Sequence, residues 1–184
     1  MSQEFPTSPQ QPEHLLFRLC AALVEDKTAL RIVPSFVGDL ESLEIMCAPD
    51  DGPRLIGKGG TIFQALKWVV AAAGAKVGRR INLDTVLAER TAKQHRFPPF
   101  KFNPDWPAGE TTKLLADVVD DVFFFPASVS LLMSSSGDES RASWRVTLSN
   151  RTDLTDGAGE QLSNLFNAIS TTNGCRSSVA IITA

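Results

Sequence analysis

Leucines and valines near the start of the chain recur with a helical period. Leu15, Leu16, Leu19, Leu23 and Val24 fall on one side at 3.6-residue spacing, and Glu25 and Asp26 close the apolar run. This predicts a first helix. The stretch TALRIVPSFVG that follows is β-prone, but Pro34 interrupts it and suits a bend or an edge strand. In ESLEIMCAP, strict alternation puts Leu43, Ile45 and Cys47 on one face of a second strand. DDGPRLIG then opens a short helix, with Asp50 or Asp51 as its cap and Pro53 in its first turn. TIFQALKWVVAAAGAK carries a buried stripe of Ile62, Leu66, Val69 and Ala73, and Gly74 or Gly78 ends it. RRINLDTV is a strand with Ile81 and Leu83 on one face.

The same order returns in the second half. ETTKLLADVVDDVFFF predicts a helix with Leu114, Leu115, Val118 and Val122 on one side. PASVSLLMSSSGDESRASWRVTLSN reads as two strands joined by a turn at Gly137, GEQLSNLFNAISTTNG as a helix and SSVAIIT as a strand. A shift of 100 residues superimposes the halves without a gap from the second strand to the end of the helix. It lays Met46 on Val146, Gly57 on Gly157, Ile62 on Leu162, Leu66 on Phe166 and Val69 on Ile169. Repetition at this scale implies two copies of one α/β unit. Between them, ERTAKQHRFPPFKFNPDWPAGE holds four prolines and no regular period. Its Phe97, Phe100, Phe102 and Trp106 stand beside Arg96 and Lys101. Such rings either stack on bases or pin the linker to a domain surface, and docking is the commoner fate of a long loop.

Composition narrows the class. Apolar residues make up 43% of 184, enough for a packed core, and no apolar run is long enough to span a membrane. The polar N-terminus, MSQEFPTSPQQPE, lacks the features of a signal peptide and reads as a disordered tail. Cys20, Cys47 and Cys175 are widely spaced within apolar stretches, which fits buried free thiols in a reducing cytoplasm. His14 and His95 have no metal-ligand spacing, and neither a metal, a cofactor nor a catalytic constellation is expected. Net charge is −3, but its distribution is uneven. Residues 54 to 101 hold ten basic and two acidic residues, net +8, against eight and nineteen elsewhere, net −11. A basic centre in an acidic chain is a local electrostatic footprint. Arg79, Arg80, Arg90, Lys93 and Arg96 in it are expected to add non-specific affinity for a polyanion.

The chemistry concentrates in GPRLIGKGG, residues 52 to 60. Read from Gly52 it is G-x-x-x-x-G-K, close to a nucleotide-binding P-loop. That loop needs Ser or Thr directly after the lysine to hold magnesium, and here the position is Gly59. Thr61 comes two residues late. Read from Gly57 it is G-K-G-G between a short helix and a long one. Glycines there turn the backbone tightly and let it approach phosphate, while the N-terminus of the following helix adds partial positive charge.

The run from VEDKTALRI through LEIMCAPDDGPRLIGKGGTIFQALKWVVAAAGAKVGRRINL resembles the small bacterial stand-alone KH proteins of the KhpA family, over about residues 14 to 86. The helix and strand ahead of the core match the type II arrangement. Taken with the repeat, the resemblance implies an α/β (α+β sandwich) fold of tandem type II KH-like domains, each a three-stranded sheet packed on helices. The resemblance places a KH domain at 13–88, and the composition and repeat add a tail at 1–12, a linker at 89–109 and a degenerate KH-like domain at 110–184. The resemblance also implies a cytoplasmic, non-catalytic adaptor for single-stranded RNA, with a second KH protein as partner. The clamp would comprise Gly57, Lys58, Gly59, Gly60 and Thr61. Arg54 and Lys67 would be cations within reach of the strand, and Ile56, Ile62 and the strand from Leu43 to Cys47 an apolar groove for bases. One departure concerns Thr61, where many relatives carry a basic residue, which points to lower affinity by the same mode. A P-loop-like nucleotide site at Gly52 to Gly59, or a protein-interaction module without RNA binding, are the alternatives.

Where the first half has G-K-G-G, the second has Gly157-Ala158-Gly159-Glu160, and residues 110 to 184 carry five basic and nine acidic residues. A phosphate at that turn would meet negative charge with no cation to offset it. The second copy is therefore expected to serve as a covalently attached partner, making a monomeric intramolecular pseudo-dimer. Trp68 beside the buried stripe, and Trp144 with Phe123, Phe124 and Phe125, read as packing residues.

Overall fold

A computed structural model of the chain describes residues 11–37, 40–88, 108–123, 127–136, 139–148, 157–172 and 176–183. Helix α1 (Pro12–Leu23) leads into strands β1 (Arg31–Val37) and β2 (Leu40–Cys47). A short helix α2 (Gly52–Ile56), one 3₁₀ turn (Lys58–Gly60), helix α3 (Thr61–Lys76) and strand β3 (Ile81–Ala88) complete the first half. The second half runs α4 (Ala108–Val122), β4 (Ala127–Ser136), β5 (Glu139–Leu148), α5 (Ala158–Thr172) and β6 (Arg176–Thr183).

Each half folds its strands into one three-stranded mixed sheet. The order is β1-β2-β3 in the first and β4-β5-β6 in the second. The hairpin pair is antiparallel in both, and the last strand joins the central one in parallel. A parallel neighbour needs a crossover, and α2–α3 in the first half and α5 in the second supply it. Pro34 lies in β1, an edge strand, which is where a sheet tolerates proline. α3 ends at Lys76 and the chain turns at Gly78, which has φ +73°. Gly74 is inside the helix, where an added Cβ would lie 3.0 Å from both Arg79 O and Ile81 Cγ1.

Alternation along β2 turns Leu43, Ile45 and Cys47 inward and leaves Met46 exposed. In the helices the predicted stripes are buried: Ile62, Leu66, Val69 and Ala73 in α3, and Leu114, Leu115, Val118 and Val122 in α4. The helices of each half pack on their own sheet and on the helices of the other half, with α3 against α5 as the main crossing. The layering is sheet, helices, helices, sheet. One continuous apolar core results, running from Leu15 through Leu66 to Phe166 and Ile169. Two polar ties cross it at the rim. Arg18 of α1 meets Asp117 of α4 at 2.5 Å, and Lys76 Nζ donates to Asp120 O and, at 2.7 Å, to Phe123 O at the end of α4.

The repeat needs one correction. A uniform shift of 100 holds in the helices, where Ile62 and Leu162, Leu66 and Phe166, and Val69 and Ile169 are all buried. It fails in the strands. Met46 is exposed, while Val146, its partner at that shift, is buried beside Trp144. Side chains alternate faces along a strand, so an offset of one residue swaps inside for outside. Leu43 and Ile45 therefore correspond to Trp144 and Val146, and one residue fewer separates β5 from α5 than separates β2 from α3. The expected linker at 89–109 lies outside the described residues except for its last two, which open α4. The expected tail is also outside them up to residue 10, whereas Pro12 already begins α1. Cys175, Phe124, Phe125 and the turn at Gly137 lie outside them as well.

Candidate nucleic-acid interface

The turn between α2 and α3 is built from three glycines at positive φ. Gly57 has φ +76° and ψ 175°, a region open almost only to glycine. Gly59 (φ +64°) and Gly60 (φ +82°) are both left-handed. The turn is closed by Gly60 N–H donating to Gly57 O at 3.3 Å, and the Thr61 hydroxyl donates to Lys58 O at 3.1 Å. Lys58 is exposed at its tip. Among the described residues, the N–H groups of Lys58 and Gly59 donate to no protein acceptor. They stand at the N-terminus of a 16-residue helix, where unpaired N–H groups and the helix dipole favour an anion.

The same geometry removes the P-loop reading. Residues 52–56 are helical, with Arg54 and Leu55 N–H donating to Asp51 O and Gly57 N–H to Pro53 O at 2.9 Å. Those groups are spent within the helix, and a P-loop would need them for phosphate.

Arg54 requires a correction. It sits one turn before Gly57, but its side chain is only 6% exposed and points inward. Nη2 donates to Glu25 Oε1 at 2.7 Å, and Nη1 lies 3.9 Å from Asp51 Oδ1. Its Nε and Nη1 are buried without a hydrogen-bond partner. A guanidinium held this way is not a free cation for the strand. Asp51 does not cap α2 with its side chain either. Its buried carboxylate accepts the backbone N–H of Glu25 at 2.9 Å and of Asp26 at 3.0 Å. The loop after α1 leaves two N–H groups in need of an acceptor, and Asp51 answers that need rather than its own helix.

The apolar groove is also reduced. Leu43, Ile45 and Cys47 face the helices and are not available to bases. Ile62 is 8% exposed and lies beneath Gly57, whereas Ile56 is 43% exposed beside the turn. Lys67 is half-buried on α3, flanking the buried stripe. In the basic segment, Lys76 serves α4. Arg79 is locked between Glu13 and Glu41, with Nη2 2.5 Å from Glu41 Oε2, so its assignment to polyanion contact does not hold. Arg80 is exposed, and Arg90, Lys93, Arg96 and Lys101 lie outside the described residues.

The Glu13–Arg79–Glu41 cluster escaped the sequence reading because its members are 38 and 66 residues from the arginine. Burial raises the Glu41 carboxyl above the usual range despite the Arg79 hydrogen bond. Burial also acts on Glu13, but hydrogen bonds led by Arg79 outweigh it and lower that carboxyl. Burial pushes the Cys47 thiol up to about 11, with Asp51 adding to the shift, and raises Cys20 further. Both stay protonated and unreactive at neutral pH. Among the described residues no group of His, Cys, Asp and Glu could hold a metal, and no helix is long and apolar enough to cross a membrane.

In the second half Gly157 keeps a positive φ of +90°. Ala158 behind it is buried and Glu160 is exposed, so a carboxylate stands where the first half presents a lysine and glycines.

Comparison with known proteins bears on the first half of the chain. The family model for the KhpA/KhpB KH domain matches residues 13–85. The chain is 35% identical over 72 residues to the RNA-binding protein KhpA of Halalkalibacterium halodurans, a stretch that covers 39% of this chain and 95% of that protein. The family match spans α1 to β3 and ends before α4. With the mixed sheet, the paired helices and the glycine turn between them, these matches mean that the chain belongs to the KhpA/KhpB family of KH domains.

Proposed function

We propose that the chain is a non-catalytic adaptor that binds single-stranded RNA through the turn from Gly57 to Gly60. The observation that carries this reading is the turn itself. Three positive-φ glycines surround an exposed Lys58, and just before α3 the N–H groups of Lys58 and Gly59 donate to no acceptor among the described residues. Backbone N–H groups and a mobile cation suit phosphate oxygens, and the absence of side chains lets the strand come close. Thr61 and Lys67 lie along the same helix, and Ile56 offers an exposed apolar surface for a base. The relative named for RNA binding supports the substrate class.

The reading extends to two units, a KH domain at 13–88 and a KH-like domain at 110–184 that has lost its clamp. The second covers the α1 and α3 faces of the first and acts as its attached partner. The chain then works as a monomer, with that face closed to another KH protein. Cys20 and Cys47, buried as thiols, suit a reducing cytoplasm.

The test is the double variant Lys58→Asp, Gly59→Asp, assayed with a labelled single-stranded RNA of mixed sequence. Aspartate tolerates the left-handed conformation better than most residues, so the fold should survive. RNA binding should be lost, and parental binding should weaken steeply with salt. A folded double variant that binds like the parent would show the clamp to be misassigned.

A further inference from the structure

The clamp hangs from a five-residue helix, which is too short to hold its own orientation in water. Something must fix α2 so that Gly57 and Lys58 point in one direction. Its apolar anchor is Leu55, which is fully buried. Its polar anchor is the tie to the loop after α1. Asp51, at the start of α2, accepts the N–H groups of Glu25 and Asp26, and Glu25 returns across the gap to hold Arg54 at 2.7 Å. The loop grips α2 at its start and at its middle: Asp51 precedes its first residue, and Arg54 is the third of its five, three residues before Gly57.

We infer that Glu25 and Arg54 are positioning residues for the RNA clamp: their ion pair straps α2 to the α1 loop and holds the turn in its binding-competent form. The inference rests on the reading of Gly57–Gly60 as an RNA clamp, and it gives Arg54 the opposite role from a phosphate ligand. The two roles predict opposite signs. If Arg54 contacted phosphate, removing Glu25 would free a cation and tighten binding. If the pair is a strap, removing Glu25 loosens the turn. Glu25 lies outside the turn and its side chain is 45% exposed, so it can be changed without opening the core.

The experiment compares Glu25→Ala with Glu25→Gln in the full chain. Both remove the same charge, but only glutamine leaves an acceptor for Arg54 Nη2. The expected result is RNA binding about three- to tenfold weaker for the alanine variant than for the glutamine variant, as the competent fraction falls. The salt dependence should be the same in both, because no phosphate contact is gained or lost. Amide exchange read by NMR gives a second measure that needs no RNA. The Leu55 and Gly57 amides, bonded to Asp51 O and Pro53 O, should exchange faster in Glu25→Ala, while the core amides of α3 keep their protection.

Equal affinities for the two variants, or tighter binding by Glu25→Ala than by Glu25→Gln, would overturn the strap. So would a uniform rise in exchange across α2 and α3, which marks a merely structural residue. Failure of the clamp reading is a distinct result: Lys58→Asp, Gly59→Asp would bind RNA like the parent, and the positioning role would fall with it. Local loosening at Leu55 and Gly57 would then report only how α2 is held.

Discussion

A side chain at Gly57 would run into Ile62. A Cβ built there lies 3.0 Å from Ile62 Cβ and from its backbone nitrogen, and closer still to Cγ1. The first residue of the clamp is thus packed against the first buried residue of α3. Gly59, two residues on, has open space around it.

The two glycines should therefore differ on substitution. Gly57→Ala combines a backbone region almost closed to alanine with an overpacked contact, and should cost about 2–4 kcal/mol. Gly59→Ala meets only the left-handed penalty, about 1–2 kcal/mol. Urea unfolding of both variants measures the gap. Equal losses would mean that Ile62 moves aside freely.

Lys76 offers a test of the interface between the halves. Its ammonium donates to Asp120 O and Phe123 O, satisfying carbonyls at the end of α4 from the other half of the chain. Lys76→Met keeps most of the apolar stem and removes both bonds. The expected loss is about 1–2 kcal/mol, against less than about 0.5 kcal/mol for Lys67→Met on the same helix. Chemical denaturation decides this, and a Lys76→Met variant as stable as the parent would exclude the cap.

The pH dependence should reveal Asp121. Burial raises its carboxyl above the ordinary value of 3.8. Lys76 and Arg18 pull the other way, but burial, with Asp117 and Asp120 adding to it, outweighs them. A carboxyl raised in the folded state favours its protonated form there. Its stabilising contribution is complete below pH 3.8 and is lost as pH rises through the folded value. Asp121→Asn should thus match the parent in acid and exceed its stability at neutral pH. Thermal unfolding across that range checks the sign. An advantage that grew on acidification would contradict it.

Much of this protein was legible in one dimension. Helix stripes such as Ile62, Leu66, Val69 and Ala73 follow from a period of 3.6, and the inward face of Leu43, Ile45 and Cys47 follows from strict alternation. The glycine turn was readable because positive φ restricts residue choice so sharply, and its Lys58 needs no distant partner. What only the tertiary structure decided was the fate of the other charges. Arg54, Lys76 and Arg79 look alike in sequence, yet each is drawn inward by a distant partner: Glu25, the end of α4, and Glu13 with Glu41. A basic side chain becomes a ligand or a tie according to which acceptors the fold brings within about 3 Å. The one-residue strand offset between the halves was hidden for a related reason. Apolar residues occur at both Met46 and Val146, and only packing against the helices shows which of them faces in.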